Sequence, residues 1–282
     1  MIFGVSVAPY LQVHGTSTES ATQLVQALAD TGIRGIRVSC PDPERDAVQG
    51  PSEQNLIRIA QESGLRICAH APATDISATD PVERNAAVAS VRRAITSLAS
   101  RVSDVVIAVH PESFAPRRRP GDDAERVENC RRSLASLADT ASGLGARIAL
   151  ENMRRRPDAP NRTGMVVDQL LEIVAGMDPS TIGLCFDTGH ANISETQGPT
   201  DAFQRAASRV IHIHLDDNLG DEDLHLPPGG GNIDFQALLH TARESGYAGM
   251  VELEVPMPVG DDPLAFYTRN HQYFRHTAAL TL

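Results

Sequence analysis

Short runs rich in apolar and β-branched residues recur along the chain, and a longer stretch of helical period follows each one. Eight runs predict strands: Ile2–Ala8, Gly35–Ser39, Leu65–His70, Asp104–His110, Ala146–Glu151, Ile182–Asp187, Val210–Leu215 and Met250–Glu254. The stretches predicting helices are Ser20–Thr31, Ser52–Ser63, Val82–Val102, Asp123–Ser142, Val166–Ala175, Asp201–Ala207, Phe235–Ser245 and Pro263–Ala279. Punctuation agrees with these bounds. Gly32, Gly64, Gly143 and Gly246 sit where helices should stop, and Pro51–Ser52 and Asp80–Pro81 sit where they should start. Strict alternation of strand and helix implies parallel βαβ units, and eight such units can close into a barrel. An open doubly wound sheet is the rival. It would carry a glycine-rich phosphate loop after the first strand, where this chain reads PYLQVHGTST. With no low-complexity linker and no repeat beyond the βα period, the expected architecture is α/β: a single (β/α)8 TIM barrel spanning 1–282.

The active site of such a barrel lies at the C-terminal ends of its strands. Six consecutive predicted strands end in a residue that can bind a metal: His70, His110, Glu151, Asp187, His214 and Glu254. Their spacings of 40, 41, 36, 27 and 40 residues each approximate one βα unit, so the side chains should converge on one axis. Imidazole and carboxylate without thiolate suit a divalent ion such as Zn, Mn, Fe or Co and do not choose among them. Three further groups fall in the loops at the same end: His190 in DTGH, and Asp223 and His225 in DEDLHLPPGGG. Nine donors exceed what one ion uses. Two or three ions, or one ion with polar neighbours, both fit. His212 and Glu252 share a strand face with His214 and Glu254 but lie one layer deeper, where they read as buried polar partners. Cys68 and Cys185 should point inward as barrel filling.

Composition narrows the chemistry. The 282 residues are 41% hydrophobic and 22% charged, as in a globular protein with a substantial core. Net charge is −11, which disfavours a broad nucleic-acid-binding face. All 25 basic residues are Arg, and the absence of Lys excludes Schiff-base aldolases, lysine-anchored pyridoxal phosphate and the P-loop lysine. Two arginine runs, Arg117–Arg118–Arg119 and Arg154–Arg155–Arg156, fall after the fourth and fifth strands, with Arg162 close behind. They read either as solvated loop charge or as a clamp for a phosphorylated or carboxylated substrate. Four scattered cysteines, no secretory leader and no membrane-length apolar run make a reducing, cytoplasmic setting the expectation.

The segments HAP at His70, HP at His110, LEN at Leu150–Asn152, CFDTGHA at Cys185–Ala191, HIHLDDN at His212–Asn218, DLHLPPGGGNIDF at Asp223–Phe235 and LEV at Leu253–Val255 resemble the xylose-isomerase-like barrel superfamily. That group holds sugar and sugar-phosphate isomerases and epimerases as well as the endonuclease IV type of abasic-site nuclease. The resemblance implies that Glu151, Asp187, His214 and Glu254 bind a divalent metal, with Glu151 and Glu254 serving also as acid/base groups and His190 orienting substrate oxygens. His70, His110, His190, Asp223 and His225 match the additional ligands of the trinuclear zinc nuclease. HAPATDIS, however, lacks the aromatic residue that the nuclease pattern places just after HAP. The implied activity is therefore isomerisation or epimerisation of a small sugar, phosphorylated or not, by proton transfer beside a metal-bound carbonyl. Phosphoester hydrolysis by a multi-zinc cluster is the alternative, dehydration of a keto-sugar falls within the same chemistry, and a non-catalytic binding barrel is a third reading. The expected cofactor is one to three ions of Zn, Mn, Mg or Co. The expected partner is a small sugar or anionic molecule rather than nucleic acid or a membrane, with homo-oligomerisation left open.

Overall fold

The computed structural model describes residues 1–15, 17–40, 52–114, 118–119, 121–157, 159 and 161–279. Pro51 and Arg117 lie outside them. Eight parallel strands form one closed barrel in chain order: β1 (Ile2–Ser6), β2 (Gly35–Ser39), β3 (Arg66–His70), β4 (Val106–Val109), β5 (Arg147–Glu151), β6 (Ile182–Asp187), β7 (Val210–Leu215) and β8 (Met250–Leu253). Closure is made by β1 against β8, with Ile2 opposite Met250 and Gly4 opposite Glu252. That pairing decides against an open doubly wound sheet. The chain is a single (β/α)8 barrel.

Around it run α1 (Ala8–His14), α2 (Thr18–Thr31), α3 (Ser52–Glu62), α4 (Pro81–Ala99), α5 (Asp123–Gly143), α6 (Val167–Ile173), α7 (Thr188–Ser194), α8 (Gly198–Ala206), α9 (Phe235–Glu244) and α10 (Pro263–Ala279). Two of these break the strict alternation. The first strand stops at Ser6 because Ala8–Pro9 opens α1, with proline in the first turn, where its missing N–H costs nothing. Helix α7 grows straight out of β6: the Asp187 side chain accepts from the His190 backbone N–H at 2.6 Å and so caps it. Both are seven-residue helices, too short for an apolar period to register. Strands β4 and β8 end at Val109 and Leu253, so His110 and Glu254 are the first residues beyond them. Elsewhere the punctuation acts as expected, as where Gly32 takes the left-handed conformation (φ 84°) that ends α2. After α5 the left-handed turn falls on Gly145 (φ 68°), not Gly143.

Alternation along the strands sorts their side chains into two cores. Val5, Ile36, Ile67, Ile107, Ile148, Leu184, Ile213 and Val251 face outward and are buried under the helices. Inside, the barrel floor is closed by Met250, whose tip fills the space over Gly4 and Gly35. A Cβ on Gly4 would stand 2.6 Å from its sulfur, and one on Gly35 would stand 2.8 Å from its methyl. Val106, Ala108, Ala149 and Cys185 pack together above it. The polar groups gather over this plug, toward the strands' C-terminal ends. No helix among the described residues is long and apolar enough to cross a membrane.

Candidate metal centre

Glu151, Asp187, His214 and Glu254 each offer a ligand atom, and all four atoms lie within 4.8 Å of one another. The strand register puts them there: Glu151 ends β5, Asp187 ends β6 opposite His214 on β7, and Glu254 follows β8. His214 Nδ1 lies 2.7 Å from Glu254 Oε2, 3.5 Å from Glu151 Oε2 and 3.8 Å from Asp187 Oδ2. Yet neither His214 Nδ1 nor Asp187 Oδ2 makes a hydrogen bond, and both are buried. Buried polar atoms without partners are costly, and lone pairs converging on one point are what a shared cation would satisfy. The donor set of three carboxylates and one imidazole fits a hard or borderline divalent ion.

Flanking groups extend the cluster on two sides. His70, His110 and Glu151 form one triad, and His190, Asp223 and His225 form another. Three of their histidines, His70, His190 and His225, are oriented by the backbone. Nδ1 of His70 meets the Ala71 carbonyl at 2.7 Å, that of His190 the Asn152 carbonyl at 2.8 Å, and that of His225 the Glu254 carbonyl at 2.8 Å. A ring that donates from Nδ1 presents an Nε2 lone pair, the form a metal takes. His70 Nε2 accordingly faces His110 Nε2 at 3.1 Å and Glu151 Oε2 at 3.0 Å, a contact that requires a proton or a cation between the two rings. His225 holds its place with a left-handed backbone (φ 44°) that a non-glycine residue rarely adopts, a strain of the kind found at functional sites. Its loop is fixed by Asp217, which accepts from the N–H groups of Asn218, Gly229, Gly231 and Ile233.

Electrostatics follow from crowding in a dry space. Burial raises the Glu151 carboxyl, but His110 and His214 outweigh it and hold it well below the usual carboxylate range. Burial pushes Asp187 up to about 6, reinforced by Glu151 and Glu254 against the pull of His190. Burial opposes charge on the His214 ring, yet Cys185, Glu254 and Glu151 keep it well above its ordinary value. A cation at the cluster therefore competes with a proton that the His214 ring holds more tightly than an ordinary imidazole. Binding of Mn²⁺ or Zn²⁺ is expected to release protons, and affinity should rise with pH. Calorimetry in two buffers of different ionisation heat measures this, and a pH-independent affinity would contradict it.

One layer deeper, His212 Nε2 meets Glu252 Oε2 at 3.2 Å and Cys68 Sγ donates to the same oxygen at 3.5 Å. Glu252 also pairs with Arg37, a residue that reading of the strand ends overlooked because it lies in mid-strand. Most of the described arginines of the two runs are paired away from the cluster. Arg118 pairs with Glu112 and Asp123 and donates to the Asn161 carbonyl at 2.6 Å. Arg119 is exposed beside Glu125. Arg155 donates to the Ser194 carbonyl and Arg156 to the Phe114 carbonyl. Arg154 alone among those described reaches the cluster, through Asp223 at 2.9 Å. Arg162 is buried against Glu112. Beside the ligands opens a cavity of about 670 Å³, walled by Ser6, Gln12, Arg37, Asp223, His225 and Glu254.

The family model of the xylose isomerase-like TIM barrel matches residues 25–277. An uncharacterized protein, MJ1311 of Methanocaldococcus jannaschii, is 30% identical over 258 residues, covering 90% of this chain and 83% of that protein. Inosose dehydratase of Lacticaseibacillus casei is 27% identical over 174 residues, 55% of each chain, so this chain spans about half of that relative. The crystal structure of a D-tagatose 3-epimerase-like protein superposes with a TM-score of 0.79 at 25% identity, covering 100% of this chain and 98% of the other. The match runs from the second helix to the last and takes in every residue of the cluster, and on it the chain belongs to the xylose isomerase-like TIM barrel family.

Proposed function

We propose that the protein is a divalent-metal-dependent epimerase or isomerase acting on a ketose or keto-polyol. The observation that carries this reading is the convergence of Glu151, Asp187, His214 and Glu254, the last of which borders an open cavity. Relatives named as a D-tagatose 3-epimerase-like protein and an inosose dehydratase support the substrate class. A divalent ion held by these four residues would supply Lewis-acid polarisation of a substrate carbonyl. Glu151 and Glu254 approach from strand positions three apart in the barrel, β5 and β8. One carboxylate takes the proton from the carbon beside the carbonyl, and the other returns a proton to the opposite face. His110 and His214 at Glu151, and His214 at Glu254, hold both carboxyls low against the effect of burial, so either can serve as the base, and the one that acts as acid first takes up a proton from solvent. His190, with Nδ1 fixed on Asn152 and Nε2 3.7 Å from Asp223, orients a substrate oxygen.

Turnover in D₂O tests the reading. Metal-loaded protein should interconvert ketoses with deuterium appearing at the carbon beside the carbonyl, and a chelator should abolish the reaction. A product lighter by one water would assign dehydration instead. No turnover of any ketose or keto-polyol would refute the proposal.

The two flanking triads favour a second reading, phosphoester hydrolysis with several zinc ions. About three zinc ions per chain by elemental analysis, with cleavage of abasic duplex DNA, would establish it. About one ion per chain with ketose turnover would exclude it.

A further inference from the structure

Arg37 leaves β2 on the inward side, opposite Cys68 of β3, and its Nε pairs with Glu252 inside the barrel. Glu252 is itself fixed by His212 and Cys68, so the guanidinium is aimed from below. A quarter of the side chain (25%) remains open, and that part lines the cavity that Glu254 borders. Among the described residues, its two terminal nitrogens make no hydrogen bond to protein. A rigid fork of donors, mostly buried and unspent, beside the ligand cluster is a built recognition element. Arg118, Arg155 and Arg156 at the loop ends donate instead to Glu112, Asp123 and backbone carbonyls.

Charge decides what the fork can hold. Glu252 already balances Arg37, and the other acidic groups on the cavity wall are Glu254 and Asp223, the latter faced by Arg154, His190 and His225. A divalent ion among Glu151, Asp187 and Glu254 would leave that group one negative charge in excess. A phosphate dianion at the fork would therefore meet a guanidinium already neutralised by Glu252, beside a ligand group in negative excess, whereas hydroxyl oxygens need only donors and acceptors.

Resting on the epimerase reading, we propose that Arg37 is the specificity-determining residue of the site. Its terminal nitrogens donate to hydroxyl oxygens on the part of the sugar remote from the reacting carbon, selecting neutral polyhydroxylated substrates over phosphorylated ones.

The test compares kcat/KM for a ketose, its monodeoxy analogues lacking one remote hydroxyl each, and its terminal phosphate ester. Wild type should disfavour at least one deoxy analogue by about 10²-fold or more, because that analogue leaves a buried donor unpaired, and should disfavour the phosphate ester. Arg37→Lys keeps the charge beside Glu252 but loses the fork. Arg37→Met/Glu252→Gln removes both charges together and avoids stranding a buried carboxylate. In each variant the discrimination against the deoxy analogue should fall to about fivefold or less, mainly through KM, with metal content unchanged. Wild type that ignores every remote hydroxyl, or prefers the phosphate ester, overturns the proposal, as does discrimination that survives in both variants. Each of those outcomes leaves the epimerase reading standing. Wild type inactive on every ketose removes both together.

Discussion

Glu254→Gln is expected to lower kcat by about 10²- to 10⁴-fold, the range lost when a positioned general base is removed, while the barrel melts within about 2 °C of wild type. The carbon skeleton is unchanged, and the backbone bonds at this position do not involve the carboxylate. The Glu254 N–H donates to the Leu215 carbonyl, and its carbonyl accepts from His225 Nδ1. What disappears is an oxygen anion 2.7 Å from His214 Nδ1, at the mouth of the cavity. An amide oxygen still offers a lone pair to a cation but takes no proton at neutral pH. Elemental analysis beside steady-state kinetics separates the two roles. Metal retained with activity lost assigns proton transfer, and metal lost with activity lost assigns coordination. A metal-loaded variant turning over near the wild-type rate would show that the proton moves through another group.

Strand ends were legible because a parallel barrel has so few degrees of freedom. Once eight apolar runs alternate with helices, the residue closing each run falls at one mouth, and His70, Glu151, Asp187 and His214 can be placed before any coordinates exist. Other features depend on contacts that the local sequence does not carry. Arg37 in GIRVS reads as an ordinary polar position in a strand. Only closure of β1 on β8 brings Glu252 beneath it and turns it into a cavity residue. The partners of Arg118, Arg155 and Arg156, namely Glu112 and the Ser194 and Phe114 carbonyls, come from other loops, and nothing in the runs themselves announces them. Helix α7 hides in DTGHANIS because its start is a cap by Asp187, a residue that also belongs to the ligand cluster. Backbone carbonyls set the ring orientation of His70, His190 and His225, and no residue type announces a carbonyl.

Arg126→Met should cost about 3–5 kcal/mol of stability, a fall in Tm of about 10 °C, the loss expected when one partner leaves a buried ionic network. The Arg126 side chain is fully buried in α5, 2.5 Å from Asp75, 3.3 Å from Glu112 and 3.9 Å from Asp122. Those carboxylates come from two loops at the catalytic mouth. Asp75 lies after β3, where it also accepts from Ser77, and Glu112 lies after β4, where it accepts from Arg118 and from the Thr163 N–H after β5. Methionine fills the space but leaves the carboxylates with fewer donors in a dry environment, where charge without compensation is most costly. Because these loops follow His70, His110 and Glu151, kcat/KM at 25 °C should fall as well, as small misplacements of reacting groups are amplified in rate. Adding Asp75→Asn to Arg126→Met removes one stranded charge, and the double variant should recover about 1–2 kcal/mol, a coupling that independent sites would not show. Denaturant melts of the four proteins in this cycle give the number. A single variant within about 0.5 kcal/mol of wild type, or strict additivity, would mean that the loops are held by packing and that the ion network contributes nothing to the shape of the site.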